Sequence, residues 1–223
     1  MSLHHIFDVE LAVKSLPYVI QGLGYTVLIA FLSMFFGLSL GFIISLFRSS
    51  ERFILRLPAR VYISFMRGIP MLALLMIIYF ALPVVGIQFT AVTAAMIAFS
   101  INSAAYIAEI IRASLMSVGK GQWDAAYALG FNKRQALMRI IVPQASRIAV
   151  PPLLNVFLDL VKTTSLASSI TVPELLYKAQ IVAGRSFDSM TMYILIALIY
   201  WVICILISTF GEKLEKRLSA SYE

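Results

Sequence analysis

The sequence predicts an all-α integral membrane protein with five transmembrane helices and one short helix between the third and fourth. Three observations lead there. Hydrophobic residues make up 61% of the 223-residue chain and charged residues only 13%, about half the roughly 25% of a soluble domain, and the mean hydropathy is +0.90. The apolar residues are gathered into runs long enough to cross a bilayer, which takes about 20 residues. Lys and Arg are concentrated in alternate connections between those runs. The whole chain, 1–223, reads as one transmembrane domain.

The spans fall at about 18–47, 61–82, 89–117, 145–165 and 190–210. The first, Tyr18 to Phe47, carries no charge, and Gly37 and Gly41 within it form a GxxxG pattern that suits close helix packing. The second is interrupted by Arg67, Gly68 and Pro70, a place where Arg67 is expected to bond freed carbonyls rather than a ligand. The third is clean from Phe89 to Ala108. The fourth is the poorest, because Ile148 to Val161 holds Pro151, Pro152, Asn155 and Asp159; the fifth, Met190 to Phe210, is clean again. No signal peptide is read, since Asp8 and Glu10 stand where a basic lead-in belongs, and the first span is expected to persist.

The net charge of +7 is a matter of topology rather than of nucleic acid. Thirteen cations fall on one side: Arg48, Arg52, Arg56 and Arg60 after the first span, Arg112, Lys120, Lys133, Arg134, Arg139 and Arg147 after the third, and Lys213, Lys216 and Arg217 after the fifth. The other side has only Lys14, Lys162, Lys178 and Arg185, with Arg67 inside a span. Positive residues accumulate in cytoplasmic loops, so the amino terminus is expected outside and the carboxyl terminus in the cytoplasm. Two adjacent histidines, His4 and His5, and one cysteine, Cys204, leave almost no material for disulfides, metal sites or His-based triads.

The segment GQWDAAYALGFNKRQALMRIIVPQA, Gly121 to Ala145, is polar among apolar neighbours and lies on the cytoplasmic side of this map. Asp124 suits a helix N-terminus, Ala125, Ala126, Ala128 and Leu129 are helix formers, and Gly130 is placed to stop the helix, so a short helix is predicted over about 121–130. Trp123, Ala126, Tyr127 and Gly130 share one face at i, i+3, i+4 and i+7. A second helix is expected to start at Asn132 and stop before Pro143. On these residues alone, a docking element and a loop folded back on its own helices are both open.

The run Glu109 to Arg147 resembles the EAA loop signature of ATP-binding cassette importer permeases of the polar amino acid type. Gly121, Gln122, Asp124, Ala125, Ala126, Leu129, Gly130, Val142, Pro143, Gln144 and Ala145 match the pattern, with Asp124 where Glu is usual. MRGIPML at 66–72, NSAAYIAEIIRAS at 102–114 and KTTSLASSITVPEL at 162–175 are similar to further stretches of that family, with Thr163 in place of the usual Asp or Asn. The resemblance implies the type I importer permease fold in a bacterial cell membrane. It also implies that the 121–130 segment, through Gln122, Trp123, Asp124, Ala125, Ala126, Tyr127, Leu129 and Gly130, is a coupling helix seated in a separate ATPase. Gly119, Lys120 and Gly121 lack the spacing of a phosphate loop, so the chain is expected to be no enzyme and to hold no cofactor, ATP and magnesium being bound by the partner.

Polar residues within spans mark the substrate path. Phe99, Asn102, Tyr106 and Glu109 share a face of the third span, and Asn155, Asp159, Lys162 and Leu166 a face of the fourth. The family resemblance implies a site for a small zwitterion, expected here from Phe99, Asn102, Ser103, Tyr106, Asp159, Lys162 and Thr163, with Asp159 toward an ammonium and Asn102 or Ser103 toward a carboxylate. The alternative is that Asp159 pairs with Lys162 and Asn102 bonds a neighbouring backbone, gluing helices together. Five helices enclose too little for a two-sided gate, so a second permease chain, identical or similar, is expected beside two ATPase chains and an external amino-acid-binding protein. Cystine, glutamine and basic amino acids remain open as substrates. A membrane channel or a membrane-embedded enzyme is the competing class, but neither a repeated polar lining nor a convergent acid and nucleophile set is present.

Overall fold

The computed structural model describes residues 7–219, so His4 and His5 lie outside the described residues, as does the side chain of Arg217. Among the described residues every regular element is helical. The α-helices are α1 (Val9–Ile20), α2 (Leu23–Arg48), α3 (Phe53–Gly68), α4 (Met71–Met76), α5 (Ala91–Ser117), α6 (Lys120–Ala128), α7 (Lys133–Ala136), α8 (Val142–Thr163), α9 (Leu175–Ser186) and α10 (Ser189–Ser219). Among the described residues four stretches are long and apolar enough to cross a membrane, Leu23–Arg48, Ala91–Ser117, Lys133–Ile170 and Ser189–Lys213, and a fifth is reached by joining α3 to the broken helix that follows it. The chain divides into two compact units whose boundaries fall inside the long helices: the first runs through residue 35, then 69–100 and 157–207; the second comprises 36–68, 101–156 and the chain from 208.

In the first unit, the long uncharged run that starts at Tyr18 is divided. Asp8 caps α1 by accepting the Leu11 N–H at 3.0 Å, and Tyr18 belongs to this short helix. Ala12 and Val19 are buried in one cluster with Leu175, Ala179 and Ala183 of α9 and Met192, Leu195 and Ile196 of α10, while Val9 and Val13 are exposed. The chain turns after α1 where the Gly22 backbone lies against Glu174; a Cβ at Gly22 would come within 2.4 Å of that carbonyl carbon, so no larger residue fits. The 26 residues of α2 then span about 39 Å at 1.5 Å per residue, enough for a hydrocarbon core of about 30 Å with tilt. Glu174 is wholly buried in the connection before α9 and takes hydrogen bonds from the Leu176 and Tyr177 amides at 2.9 and 2.7 Å and from the Tyr200 hydroxyl at 2.8 Å.

In the second unit, Gly41 permits the close helix contact that its pattern suggested: a Cβ there would lie 2.8–2.9 Å from Ile107 side-chain atoms and the Ala104 carbonyl. The sequence-based stop before Pro143 is not observed, because helix continues from α7 through Pro143 into α8. Leu137–Ile141 is wound as π-helix immediately upstream, so the proline ring, which would crowd the Arg139 carbonyl one turn back, follows a stretch already widened. The second apolar run is likewise no continuous helix. It ends as α3 at Gly68 and restarts after Pro70, whose extended backbone (ψ 135°) opens α4, and it passes through a π segment, Ile77–Ala81, and a 3-10 turn, Leu82–Val85.

Candidate functional site

The short helix α6 is bounded by local chemistry alone. At its C-terminus Gly130 adopts φ +79°, and the Gly130 and Phe131 amides bond back to the carbonyls of Tyr127 and Ala126 at 2.9 and 3.1 Å, the paired closure of a Schellman motif. Two residues later Asn132 caps α7: its Oδ1 accepts the Gln135 amide at 2.9 Å, and the Gln135 Oε1 accepts the Asn132 amide at 3.0 Å, a reciprocal capping box. Leu129 to Asn132 thus encode a stop and a start within four residues.

On the face that the sequence groups together the Trp123 and Tyr127 rings lie 6.1 Å apart, but its residues are unevenly buried. Trp123 packs against the buried cluster of Val118, Ile141 and Ala145, and Ala126 has no exposure at all. These two residues fasten α6 to its own chain, Trp123 as a half-buried anchor. The outer side consists of Asp124, Ala125 and Ala128, with Tyr127 and Leu129 as its large apolar members, Leu129 being 75% exposed. Gln122 accepts a hydrogen bond from Gln144 Nε2 at 3.0 Å, and the same nitrogen reaches the Ile140 carbonyl at 3.1 Å. The Gly-Gln and Pro-Gln ends of the motif are therefore tied to each other.

Of the third-span candidates, Phe99 is wholly buried and Ser103 nearly so. Asn102 Nδ2 donates to the Met66 carbonyl at 2.7 Å, in the last turn of α3 before the break. The freed carbonyl is thus met by Asn102 and not by Arg67, contrary to the sequence expectation. The Arg67 guanidinium instead lies 5.4 Å from the ring centroid of Tyr106, a cation–π contact. Of the fourth-span candidates, Lys162 Nζ lies 2.7 Å from Asp159 Oδ1, with the two side chains 56% and 71% exposed, and Thr163 is half-buried. Phe99 is packed in the interior, Tyr106 is exposed, and Asp159 and Lys162 are exposed as well.

Sequence reading missed one cluster. Glu109 receives the Arg48 guanidinium at 3.2 Å and the Arg112 guanidinium at 2.7 Å. The i, i+3 spacing of Glu109 and Arg112 was a usable signal; the contact with Arg48, sixty-one residues away in sequence, was not. Among the described residues no group of His, Cys, Asp and Glu is disposed to hold a metal ion.

Residues 35–220 match the sequence profile of the family described as the binding-protein-dependent transport system inner membrane component. The chain belongs to this family. It is 59% identical over 213 residues to the probable amino-acid ABC transporter permease protein YckA of Bacillus subtilis (strain 168), covering 96% of this chain and 94% of that one. It is 44% identical over 203 residues to the L-cystine transport system permease protein TcyB of the same strain, covering 91% and 87%. A chain in the crystal structure of an amino acid ABC transporter with histidines superposes with a TM-score of 0.88 at 36% identity, covering 92% of this chain and 96% of that one. The MetNI methionine ABC transporter in an inward-facing form gives a TM-score of 0.75 at 20% identity over 90% of this chain, which bears on the fold alone. The architecture is that of type I ABC importer permeases, and the chain is the multi-pass transmembrane permease component of such a system.

Proposed function

We propose that the chain carries a polar amino acid across the cell membrane by alternating access, driven by separate ATPase chains that dock on α6 and supplied by an external amino-acid-binding protein. It binds no cofactor itself; ATP and magnesium belong to the ATPase. A second permease chain, identical or similar, completes the gate. The amino terminus faces outside and the carboxyl terminus the cytoplasm, in keeping with the lopsided distribution of Lys and Arg.

One observation carries the docking part of this reading. α6 is clamped on one side by Trp123 and Ala126 and bare on the other, where a row of small residues ends in the exposed Leu129. A helix so held is a firm projection that a partner cleft could grip. The amino acid substrate rests on the named relatives and on the polar groups of α5 and α8. The Asp159–Lys162 pair supports the second chain: it is more than half exposed in the isolated chain, about 18 Å along the helix from Arg147, and charges at such a depth are costly unless they face protein or an aqueous path. The test is Ala125→Glu, on the exposed side of α6 where it disturbs no internal packing. The ATPase chain is expected to fall away on purification in mild detergent, with insertion unchanged. Copurification and amino acid uptake at wild-type levels would show that α6 grips nothing.

A further inference from the structure

We propose that a cationic cleft beside α6 binds the headgroup phosphate of an anionic phospholipid. The cleft has a volume of about 560 Å³ and lies wholly within the second unit, between the α2–α3 connection, the end of α5 and the start of α6. Arg48, Arg56, Arg60, Arg112 and Lys120 line it, against one acid, Glu51. Arg48 and Arg112 are both committed to Glu109. None of the ion pairs among the described residues uses Arg56, Arg60 or Lys120, and the buried Nε of Arg56 has no hydrogen-bond partner there. A buried guanidinium N–H left unpaired costs free energy, and an anionic oxygen is the group that satisfies it with charge as well as geometry.

The position and the walls select the ligand. Arg48 is the last residue of the 26-residue apolar helix α2, so the cations sit where hydrocarbon gives way to headgroups, and basic pockets between spanning helices at that level suit anionic lipids. Besides Ser49 and Ser50, the remaining lining is apolar, with Leu115, Met116, Val118, Trp123, Leu137 and Ile141, a wall for which a free phosphate has no use and along which the glycerol and first methylenes of a lipid can lie. Beside it Phe53 and Ile54 are 61% and 82% exposed, a disposition that suits lipid contact. An acidic protein loop would use the cations but would leave this apolar wall unmatched.

Trp123 lines the cleft and reports on it. With Trp201→Phe, an exposed position, Trp123 is the single tryptophan of the chain. The full chain is reconstituted in nanodiscs with phosphatidylglycerol or phosphatidylcholine brominated near the headgroup end of the acyl chain. Phosphatidylglycerol is expected to quench Trp123 at lower mole fraction than phosphatidylcholine. Arg56→Gln and Arg60→Gln should each reduce that preference about fivefold, from roughly 1 kcal/mol per cation near a membrane surface, while Arg56→Lys with Arg60→Lys keeps it. Unchanged quenching by phosphatidylcholine in the Gln variants certifies that they fold. Equal quenching of wild type by the two lipids overturns the proposal. So does relief of quenching by inorganic phosphate at concentrations matching the lipid, which would assign the site to free anions. A Gln pair that keeps the lipid preference but loses a copurifying partner chain would assign the cations to protein and overturn it equally.

Discussion

Replacing Asp159 by Asn separates two roles that the same ion pair could serve. The substitution keeps shape and removes charge. In the structure one carboxylate oxygen, Oδ1, is taken by Lys162 at 2.7 Å, and the side chain is 71% exposed, so Oδ2 remains reachable from outside the chain. Where such a pair faces an aqueous path it is worth about 0.2–1 kcal/mol. If pairing with Lys162 is its whole role, Asp159→Asn should shift thermal stability by less than that and leave uptake alone. If Asp159 holds the substrate ammonium, a charge-assisted hydrogen bond of roughly 1.5–3 kcal/mol is lost, and apparent affinity should fall about tenfold to hundredfold. The assay is uptake by the complete transporter in proteoliposomes over a range of substrate and binding-protein concentrations, with thermal unfolding measured on the same preparations. Adding Lys162→Gln closes a double-mutant cycle: uptake restored in the double variant means that the single change had merely stranded a cation, whereas uptake still lost in a stable double variant supports the ligand role. Uptake by Asp159→Asn with unchanged apparent affinity would refute the reasoning and move the site to Asn102 and Ser103 or to the companion chain.

Other outcomes follow from packing, protonation and charge placement. Gly41→Leu should destabilise the chain by about 1–3 kcal/mol through overpacking against Ile107 and Ala104, whereas Gly24→Ala, with nothing within 4 Å, should be near neutral in thermal unfolding. Burial pushes the Glu174 carboxyl above its ordinary value of 4.5, against the opposing pull of the Leu176 and Tyr177 amides and the Tyr200 hydroxyl. A raised folded-state value means that the folded chain holds the proton longer than the unfolded one, so this contribution to stability is full below the ordinary carboxylate range and is lost as pH rises through the raised value. Glu174→Gln should flatten that part of the pH profile of thermal unfolding; an unchanged slope would place its origin elsewhere. For orientation, in a Cys204→Ser background a cysteine at the exposed Gln88 should react with an impermeant thiol reagent in sealed cells, and one at the exposed Lys120 should not. Labelling at Lys120 would reverse the assigned topology.

What the sequence made legible was whatever rests on neighbours in the chain. The end of α6 at Gly130 and the start of α7 at Asn132 depend on groups at most five residues apart, and both were readable as turn and cap chemistry. Apolar length located the long helices for the same reason. The failures each involve a distant or compensating partner. Pro143 lies inside a helix because a π segment precedes it, and nothing in the propensities of Leu137–Ile141 announces that widening. The backbone bond offered as one reading of Asn102 is present, but its partner, the Met66 carbonyl thirty-six residues away, could not be named from spacing. Periodicity put Trp123 and Tyr127 on one side of α6, but a two-turn helix cannot say which side faces its own chain until the cluster around Ile141 is known. Gly22 reads as an ordinary glycine in an apolar run and becomes necessary only when the backbone of Glu174 arrives against it.

The self-capped form of α6 has a consequence for the energetics of assembly. Ordering a backbone costs about 1–2 kcal/mol per residue, and a segment that becomes helical only on contact takes that cost out of its binding free energy. The nine residues of α6 are fixed beforehand by the Gly130 closure and the Trp123 anchor, so a partner that grips the helix loses almost nothing to ordering it. The same rigidity governs work. A displacement applied to a compliant loop is dissipated by local unwinding, whereas one applied to a helix closed at Gly130 and tied through Gln122 to Gln144 would be delivered to the following helix as movement. Lengthening the stop by a flexible Gly-Ser pair after Gly130 would therefore leave attachment intact and still slacken the transmission, so that fuel is consumed without cargo.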